Sequence, residues 1–213
     1  MMTNLAHAIE ADGRSARAQA RRKARREEIL TAGEQIFGGR GYRNTSVADV
    51  IDAAGISRGT FYLYFDGKDA LFQELVDRFV QRVMEVIEVV EPGAGPRPQE
   101  QIFQNVKRVV DLLFDNPDLT ILILREAVGL DDEVDAKLAS LHGFVHDMVV
   151  GAVHNGVQMG IIRCIDERIA ATAIIGAIKE VLYQAIVVDR PDRADRKKVA
   201  QALYEFGLRG LQA

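Results

Sequence analysis

A chain of 213 residues, 48% apolar and 27% charged, has enough material for one domain or two small ones with a real core, which excludes wholesale disorder. The single cysteine, Cys164, excludes a disulfide framework and any multi-cysteine zinc or iron–sulfur site, and fits a reducing, cytoplasmic setting. The net charge of -4 is uneven: residues 1–68 carry 11 Lys and Arg against 8 Asp and Glu, and residues 69–213 carry 16 against 23.

The first ten residues, MMTNLAHAIE, lack a basic start followed by an apolar stretch of roughly 7–15 residues, so no signal peptide is expected. Arg14 to Arg26 then holds seven cations and no acid, which marks residues 1–21 as a flexible basic arm. Such an arm on an acidic body suits a polyanion partner at one end; it also suits a merely solvated tail. From Arg22, the residues Ile29, Ala32, Gly33, Ile36 and Phe37 fall on one helical face, and Gly38, Gly39 and Gly41 are expected to end that helix. Thr45 or Ser46 caps a short helix carrying Val47, Val50 and Ile51, which Gly55 stops. Ser57 caps a third helix through Leu63.

A long helix is predicted from Gly67 to about Val90, with Phe72, Leu75, Phe79, Val83 and Val86 at three- and four-residue steps. The stretch Glu91–Gln99 (EPGAGPRPQ) reads as a linker, because proline does not continue a helix. Further helices are expected over Ile102–Phe114, Leu119–Val128, Glu133–Met159, Asp166–Val188 and Arg193–Leu211. The tally of about nine helices and no strand pattern predicts an all-α fold. The longest uncharged apolar run, Ile169 to Ile178, has ten residues where a membrane span needs about 20, so no membrane partner is expected. That run is apolar on every side, which implies burial against a second copy through Ala173, Gly176 and Ala177.

Function is most legible in Thr45–Lys68, TSVADVIDAAGISRGTFYLYFDGK. Two short helices joined by a glycine-bearing turn make a helix-turn-helix. Val50, Ile56 and Phe61 can fill its small core. Arg58, Gly59, Thr60 and Tyr62 are left to face outward as short polar groups, one guanidinium and one phenol, suited to a groove floor and its phosphates.

The wider stretch IFGGRGYRNTSVADVIDAAGISRGTFYLYFDGKDAL resembles the TetR family of bacterial transcriptional regulators over about 50 residues, nearly position for position. Asp52 departs from the family's usual small residue and is expected to point to solvent. The resemblance implies a homodimer with an N-terminal DNA-binding domain (22–66), a connecting helix (67–90) and a C-terminal ligand-binding and dimerisation domain (91–213). It implies that Thr45 and Ser46 touch phosphate, that Ser57 belongs to the DNA-binding set, and that Arg58, Gly59, Thr60 and Tyr62 face the major groove of an operator. Tyr64 and Lys68 reach the backbone. It further implies a small-molecule effector, apolar or amphipathic, enclosed by helices bearing Phe103, Val106, Val110, Phe114, Leu124, Phe144, Met148 and Tyr183. The last two helices, with Phe206, pair across a two-fold axis. Repression is the family's usual output, and activation is the variant.

Weaker signals point elsewhere. His142 and His146 lie four apart on one helix with His154 eight beyond, a spacing open to a metal or to plain packing; no metal and no cofactor are expected. Cys164 follows Arg163, which favours a thiolate, but a lone cysteine also serves as a small apolar residue. No phosphate loop, nucleophile elbow or metalloprotease helix supports an enzyme. The remaining alternative is a helical adaptor that offers the same surfaces to protein partners.

Overall fold

The computed structural model describes residues 2–93, 95–125, 132–163, 166–189 and 195–211, and every regular element among them is helical. In chain order these are α1 (Met2–Arg40), α2 (Val47–Ala54), α3 (Arg58–Tyr62), α4 (Lys68–Val86), α5 (Pro98–Asp115), α6 (Pro117–Arg125), α7 (Asp132–Gln158), α8 (Glu167–Leu182), a π-helical turn (Tyr183–Val188) and α9 (Arg196–Leu211). Cys164 and Pro191 lie outside the described residues.

Several boundaries differ from the sequence reading. The segment read as an arm, 2–21, is the first half of α1. Its run of alanine, arginine, lysine and glutamine has high helix propensity and contains no stop signal before Arg22. Gly38 and Gly39 also sit inside α1 rather than ending it; the terminating residue is Gly41, at φ 81°. Pro98 opens α5 instead of closing a linker, since a proline in the first helical turn loses no hydrogen bond. The expected long helix stops at Val86. The connector beyond it is clipped to α5 by two side-chain amides. Asn105 accepts from the Glu88 N–H at 2.9 Å and donates to its carbonyl at 2.8 Å, and Gln101 does the same for Glu91 at 2.9 Å each.

Two apolar cores organise the molecule. The first joins Ile29, Leu30 and Phe37 of α1 to Val50, Phe61, Phe65, Leu71, Phe72 and Leu75, and continues into Leu119 and Leu122 of α6 and Val134, Leu138 and Leu141 of α7. The second joins Val110, Leu113 and Phe114 of α5 to Leu182, Ala185 and Ile186 and to Ala200 and Leu203 of α9. Helix α6 belongs to both: Leu119 and Leu122 face the first core, while Ile121 and Leu124 pack against the second. The head formed by α1–α3 is therefore not a separate body. Where α1 crosses α6, Gly38 lies directly on the Asp118 backbone; a β-carbon there would stand 2.5 Å from the Asp118 carbonyl oxygen. Nearby, burial raises the carboxyl pKa of Asp118, and raises that of Glu34 against the pull of Arg82.

Candidate nucleic-acid interface and effector core

The α2–turn–α3 unit is fixed by local chemistry. Ser46 is the N-cap of α2: its Oγ accepts from the Asp49 N–H at 3.2 Å, and the Asp49 carboxylate accepts from the Ser46 N–H at 2.8 Å. This reciprocal capping box holds the Asp49 carboxyl below the usual carboxylate range, first through the Ser46 hydroxyl. Gly55 ends α2 at φ 62°, the left-handed backbone that turns the chain into α3. Ser57 then caps α3, accepting from the Thr60 N–H at 3.1 Å and sharing a hydroxyl contact with Thr60 Oγ1 at 2.8 Å.

Phe61 is fully buried and Phe65 nearly so, and together they seat α3 on the core. The opposite side of α3 exposes Arg58, Gly59 and Tyr62, with Thr60 half-buried at its edge. The Arg58 guanidinium lies 5.7 Å from the centre of the Tyr62 ring. Asp52 is exposed, as the sequence reading expects. The same outer surface carries Leu63, which is 71% exposed and which the sequence reading passed over as a helix end. Apolar exposure beside polar groups is the signal that could have found it, since a thymine methyl is an apolar target in the major groove.

Thr45 does not belong to this face. It is 2% exposed, and its hydroxyl donates to the Gly41 carbonyl at 2.9 Å. The turn after α1 consumes its polar groups, so its assignment as a phosphate contact is withdrawn. Ser46 remains exposed. Lys68 is half-buried; its Nζ donates to the Tyr42 carbonyl at 3.1 Å and sits 4.0 Å above the Tyr42 ring. Tyr64 is half-buried beneath the Arg22 guanidinium, 6.0 Å from the ring centre.

Charge pairing braces the back of this unit. Arg26 donates to the Tyr64 carbonyl at 2.9 Å, lies 4.5 Å over the Phe65 ring and forks onto Glu74. Arg78 in turn forks onto Glu27 at 2.5 and 2.8 Å and reaches Glu74 at 3.2 Å. The Arg78 hydrogen bonds hold the Glu27 carboxyl below its ordinary pKa. Two guanidinium forks thus tie α1 to α4 directly behind the α3–α4 turn.

The expected effector residues fall into two sets. Val110 and Phe114 are buried in the second core; Val106 and Leu124 pack against it. The Phe103 ring meets that of Tyr204 at 5.2 Å. Met148 and Tyr183 are half-buried, and Phe144 is 39% exposed on α7. An open groove of about 360 Å³ borders the second core at Ala185 and Val199 and is otherwise lined by Glu180, Val181, Gln184, Asp189, Asp195 and Lys198, none of them among the expected effector residues.

Of the expected dimer residues, Ala173, Gly176 and Phe206 are exposed and Ala177 is half-buried. They share the surface of α8, the π-helical turn and α9 with exposed Ile169, Val181 and Val188. By length and composition, Glu167–Val188 is apolar enough to cross a membrane. A search for uncharged runs misses this because Lys179 and Glu180 interrupt the sequence. The histidines act as ties between α7 and α8: His146 meets Thr172 at 3.1 Å and His154 meets Glu167 at 3.1 Å. Burial and nearby Lys179 lower the pKa of His142. Among the described residues no group of three His, Cys, Asp or Glu side chains is placed to hold a metal.

Comparison with known families settles the lineage. Residues 29–75 match the model described as bacterial regulatory proteins, tetR family, and residues 95–183 match the tetracyclin repressor-like C-terminal domain. The chain belongs to the TetR family. As a TetR-family protein it is a DNA-binding transcriptional regulator and not an enzyme, which sets aside the adaptor reading. It is 24% identical to the fatty acid metabolism regulator protein of Bacillus subtilis over 189 residues, covering 86% of this chain and 94% of that one. Its fold matches the fatty acid degradation regulator FadR of Bacillus halodurans with TM-score 0.72, at 23% identity over 88% of this chain and 96% of the other. FadR of Bacillus subtilis, solved in complex with stearoyl-CoA, matches with TM-score 0.70 and 24% identity over 87% of this chain and 99% of the other.

Proposed function

We propose that this TetR-family chain acts in the cytoplasm as a homodimeric repressor. It binds a palindromic operator and leaves it when an amphipathic ligand of the long-chain acyl-CoA type enters the body. The observation that carries the DNA reading is the outer face of α3. Arg58, Gly59, Thr60, Tyr62 and Leu63 are held outward because Phe61 and Phe65 are buried behind them. Arg58 and Tyr62 read bases and phosphates in the major groove, Ser46, Ser57, Tyr64 and Lys68 serve the flanking phosphates, and Thr60 and Leu63 meet base edges.

The effector class is supported by the full-length likeness to a fatty acid metabolism regulator and by the apolar second core. An acyl chain would enter among Phe103, Val106, Val110, Phe114 and Leu124, close to Phe144, Met148 and Tyr183. Separating α5 from α9 there displaces α6, and α6 also holds Leu119 and Leu122 in the core of the head. Two α3 helices must sit about 34 Å apart to enter successive major grooves, so a small tilt of each head loses one half-site. Ligand and operator then weaken each other by the same factor, and about 1–3 kcal/mol of coupling gives a 5–150-fold effect. The exposed apolar strip of α8 and α9 is the surface the second copy covers, through Ala173, Gly176, Ala177 and Phe206.

The test is selection from random duplexes at physiological salt, followed by addition of stearoyl-CoA. Enrichment of a palindrome that the acyl-CoA releases supports the reading. No enrichment overturns the operator, and enrichment with no response to acyl-CoA overturns the effector class. Transcription in vitro from the selected site separates repression from activation.

A further inference from the structure

We infer that the N-terminal half of α1 is a rigid basic rail that lies along the DNA phosphates flanking each half-site. The inference rests on the DNA-binding reading of α3. The family match begins at residue 29, and α1 begins at Met2, so the rail precedes the shared head. Residues 16–25 are all exposed, which means that this part of the helix projects beyond the head. Arg17, Arg21 and Arg25 recur at four-residue steps and so line one stripe, about 12 Å long at 1.5 Å per residue. Arg25 has one exposed partner, Glu28, at 2.5 Å. Arg17 and Arg21 have no ion-pair partner among the described residues.

Like charges four apart repel on a helix, so this stripe is destabilised until a polyanion neutralises it. Its direction is fixed by two neighbours on the adjoining face. Arg22 lies over the Tyr64 ring and Arg26 is bound to the Tyr64 carbonyl and to Glu74. Those residues act as docking groups: they register α1 against the turn that follows α3. The rail is therefore continuous with the DNA-reading surface, and the duplex that occupies α3 carries one negative charge per roughly 1.7 Å of its axis alongside it. The occupant is the phosphate backbone, without regard to base sequence.

The experiment compares wild type with the triple variant Arg17→Gln, Arg21→Gln, Arg25→Gln on the selected operator and on a scrambled duplex, over a range of salt. Circular dichroism checks that the variant keeps its helix content. Each phosphate neutralised contributes roughly 0.9 to the slope of log affinity against log salt, and a dimer carries two rails of three arginines, so the variant's slope should be shallower by about 5.4 on both duplexes. Between about 50 and about 200 mM salt, that makes the variant's loss of affinity about 1,800-fold smaller than that of the wild type. The ratio of operator to scrambled affinity should stay the same. An unchanged slope overturns the rail, as does a shallower slope accompanied by a lost ratio of operator to scrambled affinity. Failure of the underlying DNA reading is a separate result: wild type itself would show equal affinity for the two duplexes.

Discussion

Gly38 and its neighbour Gly39 offer a paired test of how the head is joined to the body. Both lie near the end of α1, and replacing either by alanine removes the backbone freedom that glycine brings to a helix, a gain of up to about 1 kcal/mol. Their surroundings differ. A β-carbon at Gly39 meets nothing within 4 Å, whereas one at Gly38 stands 2.5 Å from the Asp118 carbonyl oxygen, 2.7 Å from its Cα and 2.8 Å from its carbonyl carbon. Those atoms are backbone, so no side-chain rotation relieves the clash. Helices α1 and α6 must move apart, at the cost of about 1–3 kcal/mol typical of overpacking. Gly39→Ala should therefore raise the melting temperature slightly and Gly38→Ala should lower it. With about 2–4 °C per kcal/mol for a chain of this size, the two should differ by several degrees. Thermal unfolding followed by circular dichroism reads the difference. Operator affinity should fall for Gly38→Ala alone, because α1 carries the head. If the two variants melt together and bind alike, the α1–α6 contact does not couple head to body.

The other predictions draw on separate parts of the molecule. Thr60→Ala should weaken operator binding and relax base preference in an affinity titration. Lys68→Ala should weaken binding to all duplexes alike, and should also lower the melting temperature because its ammonium holds the Tyr42 carbonyl. Gly176→Arg should leave the fold intact, since a β-carbon there meets no other part of the same copy within 4 Å, and yet give monomers by light scattering. For Glu34, burial raises the carboxyl pKa in the folded protein, so ionisation opposes folding at neutral pH and the opposition vanishes below the ordinary glutamate range. Glu34→Gln should accordingly raise the melting temperature at pH 7, with the gain fading as the pH falls from the raised pKa down to the ordinary glutamate range.

What the sequence revealed was what short-range chemistry determines. Ser46 with Asp49, Gly55 and Ser57 specify α2, its turn and α3 within a dozen residues, and the outward set of α3 follows from where Phe61 must go. Positions whose roles depend on distant elements were harder to read. Gly38 looks like a helix stop in sequence; its reason for being glycine is the Asp118 backbone, 80 residues away. Thr45 looks like a phosphate ligand until the fold buries it, and Arg22 and Arg26 look like two more members of a basic run until Tyr64 and Glu74 come alongside. Phe144 and Phe114 are equally apolar in sequence, but only packing separates an exposed ring on α7 from a buried one on α5. The π-helical turn after Leu182 has no local signature that distinguishes it from the helix it continues.

The most direct test of the central claim, that the outer face of α3 reads an operator, is fluorescence anisotropy at physiological salt with a selected palindrome and its scrambled counterpart. Wild type and Thr60→Ala are measured side by side. Wild type should prefer the palindrome by several orders of magnitude, in the usual range of about 10³–10⁷ for specific recognition, and Thr60→Ala should lose about 1–3 kcal/mol of that preference per half-site. Equal affinity of the wild type for both duplexes would contradict the claim.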